Sequence, residues 1–162
     1  MRVKKFAGCN NTILPTYGKI MIQNFKEVVT EEFKDESYDF ILLFGSFADG
    51  KNHERSDVDI GICARTPLEL KTLGYHTAML ETKLGRPVDL IDLHEIYKKN
   101  PLLAFEILSR HTPLSIRDEE RYIRFKTMAQ LYYLDHKPLI EANRRQLLRR
   151  IEEGKIGERN YA

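Results

Sequence analysis

Residues 38–44 read YDFILLF, a nearly unbroken apolar run of strand length that halts at Gly45-Ser46. A strand apolar on both faces has to be covered on both, so this run belongs inside a sheet flanked by helices. Two further runs of similar length follow: 57–64 (DVDIGICA), which alternates acidic and apolar before becoming wholly apolar, and 86–93 (RPVDLIDL). Helical spacing fills the intervals. Ile22, Phe25, Val28 or Val29, and Phe33 recur at helical spacing over 20–33. Pro67 suits a first helical turn, with Thr66 as N-cap and Glu69 three residues on, for a helix running to about Leu84 and stopping at Gly85. Asp92 is the expected cap of a helix reaching about Arg110, with Glu95 at its third position. A short strand over 112–116, with Pro113 near its edge, and a long helix over 118–153 complete the chain. Pro138 is the expected break in that helix, and Gly154 and Gly157 its end. The fold class expected is α/β (α+β): a small mixed β-sheet flanked by helices, with a helical C-terminal segment.

Size and charge narrow the function classes. At 162 residues the chain has the length of one domain, and 42% hydrophobic residues against 31% charged supply a core. Lys and Arg number 26 against 24 Asp and Glu, a formal +2, which is too balanced to announce a nucleic-acid or membrane binder. No apolar run approaches the about 20 residues that cross a bilayer. Arg2, Lys4 and Lys5 are followed by no apolar segment of the kind a signal peptide carries. A cytoplasmic protein is the expectation. Residues 1–19 read as a flexible N-terminal arm, with Met21 as an alternative start; 20–117 read as the core, and 118–162 as a helical segment packed on it. The two cysteines, Cys9 and Cys63, make neither a disulfide framework nor a zinc site, and Cys63 reads as a buried, inert thiol.

The chemistry concentrates in 45–59, GSFADGKNHERSDVD. A strand delivers Gly45-Ser46 into a turn, ten residues intervene, and a second strand opens with Asp57-Val58-Asp59. Side chains alternate along a strand, so the two carboxylates point the same way. Carboxylates side by side repel unless a cation lies between them, and hard oxygen donors of this kind suit Mg²⁺. Gly45 permits close approach to the backbone, and a helix starting just after it makes Ser46 and its neighbours an anion site. A phosphate cradle facing a metal-binding pair is apparatus for moving a nucleotidyl group. Asp89, a charge inside an apolar run, fits as a third carboxylate, completing a two-ion site with the ions ~3.5–4 Å apart and accepting the proton of an attacking hydroxyl. Asp92 competes for that role but is explained as a helix cap. Each feature alone has a plain structural reading: Gly-Ser as a turn, Asp-x-Asp as turn chemistry, Asp89 paired with Arg86. Jointly they point to catalysis.

The joint pattern resembles the minimal nucleotidyltransferase (MNT) antitoxins of the DNA polymerase beta-like superfamily. Their signature of Gly-Ser, ten residues, then Asp-x-Asp matches Gly45, Ser46, Asp57 and Asp59, and 88–93 resembles their third-carboxylate strand. The resemblance spans roughly 20–140 and implies a nucleotidyltransferase fold with Asp57, Asp59 and Asp89 as catalytic metal ligands. It further implies two Mg²⁺ ions, ATP as donor, and transfer of AMP to a tyrosine of a HEPN toxin in a hetero-oligomer. Many relatives carry Arg at the positions of Phe47 and Asp49, so here the phosphate charge has to be met by Lys51, Arg55 or Arg65. Two alternatives keep part of the pattern: a stoichiometric antitoxin that occludes its partner without catalysis, and a nucleotidyltransferase acting on a small-molecule hydroxyl such as an aminoglycoside. Direct nucleic-acid binding is not expected, since no aromatic-basic stacking motif is present. The five histidines lack zinc-ligand spacing and read as surface or capping residues. Tyr132 and Tyr133 read as packing residues. The run Arg144, Arg145, Arg149 and Arg150 reads as a solvated helix face, with an acidic partner's docking surface as the sharper alternative.

Overall fold

The computed structural model describes residues 13–53 and 55–154. Its strands are β1 (Phe40–Phe44), β2 (Val58–Cys63), β3 (Val88–Asp92) and β4 (Thr112–Ile116). They form one sheet in the order β3-β2-β1-β4, with β1 antiparallel to β2 and β4, and β2 parallel to β3. The expected small mixed sheet is therefore present, and the apolar run around β1 lies at its centre, buried at every position.

Alternation along β1 divides the core in two. Ile41 and Leu43 face Phe25 and Val29 of α1 (Ile13–Glu32), Phe33 just beyond its end, and Leu80 of α3 (Leu70–Leu84). Phe40, Leu42 and Phe44 face the other layer, made by α4 (Ile96–Lys99), α5 (Pro101–Ser109) and α6 (Glu119–Glu152), through Ile107, Tyr122 and Phe125. Each such side chain contributes about 1.5–3 kcal/mol on burial. Gly61 in β2 is a packing necessity, because a Cβ there would stand 2.7 Å from Cδ1 of the fully buried Leu93.

Several helix ends differ from expectation. The described residues begin within α1, at Ile13, so 13–19 of the stretch expected as an arm are helical. Residues 1–12, with Cys9, and 155–162, with Gly157, lie outside the described residues. The Thr66–Glu69 capping box does not form. α3 begins at Leu70, because the Leu68 N–H donates to Asp92 Oδ2 (3.2 Å) and holds the chain in an extended approach. Gly85 does end α3, in the left-handed conformation at φ 65°. Asp92 caps no helix; its other oxygen accepts the His94 N–H (2.9 Å). The single helix expected up to Arg110 is two, because Pro101 opens α5 and Asn100 caps it through the Leu103 N–H (3.1 Å).

α6 is capped by Asp118 and runs unbroken through Pro138. Only its first half is packed on the core, through Tyr122, Phe125 and Ala129. From Leu134 to Gly154, only Ile140 and Arg150 are even half-buried. The carbonyl freed by Pro138 therefore faces solvent, and the helix tolerates the residue. Tyr132 and Tyr133 are half-buried; Tyr132 packs tilted against Tyr97 and Tyr133 stacks on Phe105, the packing roles expected of them. His76 departs from the surface role expected for histidines: it is buried, with Glu32 Oε1 2.8 Å from Nδ1 and Glu36 Oε1 3.3 Å from Nε2, tying α3 to the end of α1. Cys63 is buried as expected.

Candidate active site

β1 ends at Phe44, directly across from Asp59 of β2. The chain passes at once into α2 (Gly45–Ala48), a four-residue helical turn. Gly45 holds φ +66°, and a Cβ on it would overlap Asp59 Oδ2 and stand 2.8 Å from Asp59 Cγ. Glycine is required there twice, by conformation and by the carboxylate pressed against it. Gly45 O accepts the Asp49 N–H (3.1 Å) and Ser46 O the Lys51 N–H (2.9 Å), which close the turn. Phe47 points into the core, edge-on to Phe25 at 5.2 Å, with the Arg86 guanidinium 5.1 Å above its ring.

Asp59 lies opposite Asp89 in the parallel register of β2 and β3. Val58, Ile60 and Ile62 of β2 face α1 and α3, so Asp59 and, by alternation, Asp57 share the other face with Gly61. Asp57 and Asp89 are exposed and Asp59 is half-buried. Burial, then the charges of Asp89 and Asp57, hold the Asp59 carboxyl above the usual carboxylate range. The structure thus brings Gly45, Ser46, Asp57, Asp59 and Asp89 to one pole of the sheet.

Beside this pole lies a cleft of about 500 Å³, walled by Gly45, Asp49 and Asp59 on the sheet side and by Leu103, Glu106 and Arg110 on the α5 side. Arg110 Nη1 donates to Asp49 Oδ2 at 3.1 Å across it. Lys51 and Arg55 stand exposed on the connection to β2, outside the cleft walls. Arg65 is ruled out as a phosphate contact. It follows the far end of β2, where Cys63 pairs with Phe40, and its Nε lies 3.9 Å from Asp39 Oδ1. Glu106 and Arg110 were not expected from the sequence. No local spacing signals them, since the packing of α5 carries Arg110 to a partner 61 residues away.

Among the described residues no three His, Cys, Asp or Glu side chains are already gathered round a common point at ion-holding distance. The donor chemistry nevertheless fits a divalent cation. Three hard carboxylates share one pole, and the innermost is destabilised as an anion by burial and then by the other two. No helix among the described residues is long and apolar enough to cross a membrane.

Comparison with known proteins agrees with this geometry. A family model for polymerase beta nucleotidyltransferases matches residues 27–120, from α1 into the start of α6. A Methanocaldococcus jannaschii protein, provisionally assigned as a protein adenylyltransferase, is 34% identical over 89 residues, covering 55% of this chain and 86% of its own length. Among solved structures, a chain of a toxin–antitoxin complex with AMP-PNP superimposes with a TM-score of 0.60 at 21% identity, covering 72% of this chain and 96% of that one. A chain from the complex of tri-AMPylated Shewanella oneidensis HEPN toxin with MNT antitoxin gives a TM-score of 0.57 at 19% identity, covering 75% and 98%. At those identities the likeness is one of fold. Because the family model spans more than half of the sequence and contains the Gly45 turn and all three aspartates, this chain belongs to the polymerase beta nucleotidyltransferase family and is a nucleotidyltransferase.

Proposed function

We propose that this enzyme is the antitoxin of a toxin–antitoxin pair and transfers AMP from ATP to a tyrosine hydroxyl of a HEPN toxin. The observation that carries the reading is the contact of Gly45 with Asp59, which sets a backbone turn open to phosphate directly against a carboxylate shared with Asp57 and Asp89. The adenylyltransferase assignment of the archaeal relative and the AMPylated toxin in the structural neighbour support the acceptor class. Asp57, Asp59 and Asp89 would hold Mg²⁺, two ions in the full site, and bound Mg²⁺ supplies positive charge to the phosphate oxygens. Gly45 and Ser46 hold the β- and γ-phosphates. In the transfer the hydroxyl oxygen bonds to the α-phosphorus, the bridging P–O bond breaks, and its electron pair leaves with pyrophosphate. The hydroxyl proton passes to the Asp89 carboxylate. Positioning and neutralisation of charge supply most of the acceleration.

The test is the intact mass of a cognate HEPN protein after incubation with this protein, ATP and Mg²⁺. Whole AMP units are expected with the wild type and none with Asp57→Asn, whose exposed side chain leaves the fold intact. A stable complex without any mass change would point instead to a stoichiometric antitoxin.

A further inference from the structure

We propose that Arg110, steered by Asp49, is the cation through which this chain itself grips the triphosphate of the donor nucleotide. The inference rests on the reading of the cleft as the donor site. Asp49, Asp59 and Glu106 line that cleft, and among the described residues that line it Arg110 alone is basic. A nucleoside triphosphate entering it brings several more negative charges. On the turn that meets the phosphates no cleft-lining side chain is basic: Phe47 is committed to Phe25, Asp49 is acidic, and Lys51, which closes the turn through its N–H, stands outside the cleft walls. A basic side chain inside the cleft has to come from the opposite wall, where Arg110 at the end of α5 supplies it.

The geometry gives the pair two unequal halves. Asp49 is anchored, with its N–H bonded to Gly45 O and its side chain only 20% exposed. The Arg110 side chain is 66% exposed, and its bond to Asp49 occupies Nη1, leaving the other guanidinium N–H groups for an oxyanion. The contacts run Gly45–Asp49–Arg110, so the guanidinium is tethered one residue contact away from the turn against which Asp59 is pressed. An ion pair this exposed adds little to stability, so its chemistry can be removed without unfolding the protein. Asp49 is here a positioning residue, acting through Arg110.

The experiment is a calorimetric titration of the full chain with a non-hydrolysable ATP analogue and, separately, with AMP, both with Mg²⁺. For Arg110→Ala, affinity for the triphosphate falls about tenfold to a hundredfold, the range for a lost charge-assisted hydrogen bond, while AMP affinity changes much less. Arg110→Lys recovers part of the loss. Asp49→Asn weakens the triphosphate less than Arg110→Ala does. Asp49→Arg in the Arg110→Ala background, which moves the cation onto the turn, restores triphosphate affinity. Equal triphosphate affinity of wild type and Arg110→Ala, with both folded by thermal melting, overturns the inference and leaves the donor site standing. A wild type that binds neither nucleotide overturns the donor-site reading and this inference with it.

Discussion

Gly45→Ala isolates the contact on which the site is built. At φ +66° an L-residue costs about 1–2 kcal/mol more than glycine. The new Cβ also overlaps Asp59 Oδ2, so the carboxylate has to leave its rotamer, at about 0.5–1.5 kcal/mol. The sum is a destabilisation of about 1.5–3.5 kcal/mol. The two parts separate in a double-mutant cycle with Asp59→Ala, which removes Oδ2 and Cγ and leaves a Cβ 3.3 Å from the new methyl, close enough to need only a small shift. In that background Gly45→Ala costs about the backbone part alone, giving a coupling of about 0.5–1.5 kcal/mol. Urea unfolding followed by circular dichroism measures all four corners. Equal cost of Gly45→Ala in both backgrounds would refute the close contact between the turn and the carboxylate. With the contact real, Gly45→Ala also abolishes nucleotidyl transfer, since the displaced Asp59 no longer meets Asp57 and Asp89.

Two further predictions concern ionisation. The Asp59 carboxyl is held above its ordinary value by burial and by Asp89 and Asp57, so the folded state binds that proton more tightly than the unfolded chain does. Its contribution to stability is complete below about pH 3.9 and is lost as pH rises through the folded value. Metal-free wild type therefore loses stability relative to Asp59→Asn between acid and neutral pH, and Mg²⁺ reverses the loss; parallel stability curves for the two proteins would contradict this. Burial, with the charge of Asp39 beyond it, pushes the Cys63 thiol up to about 12. Native Cys63 should resist iodoacetamide at pH 8 and react once denatured, as read by peptide mass spectrometry, and rapid labelling of the native protein would show that the thiol is accessible.

What the sequence discloses and what it hides divide by distance along the chain. The strands are legible because their apolar runs are continuous, and the carboxylates of the candidate site because Asp57 and Asp59 are two residues apart and Asp89 interrupts an apolar run. The capping box at Thr66 and Glu69 has correct local chemistry, yet Asp92 takes the Leu68 N–H from 24 residues away and shifts the helix start. Asn100-Pro101 was a visible signal for splitting the helix after β3, outweighed by the apolar pattern on either side of it. The Asp49–Arg110 pair has no local trace at all, and His76 looks like any surface histidine until Glu32 at the end of α1 and Glu36 in the loop after it close on it from 44 and 40 residues away.

α6 joins two regimes of cooperativity in one helix. At about 1.5 Å per residue its 34 residues extend about 51 Å, and only the portion bearing Tyr122, Phe125 and Ala129 is buried against the core. Amides there exchange with solvent only when the domain opens. Beyond Leu134, where the described side chains are almost all exposed, helical order rests on propensity and on pairs such as Lys137–Glu141, with Pro138 removing one backbone hydrogen bond. That portion frays on a far faster clock than the domain unfolds. On heating, helical signal is lost gradually before the cooperative transition, so helix content and aromatic packing report different midpoints for what is covalently a single element.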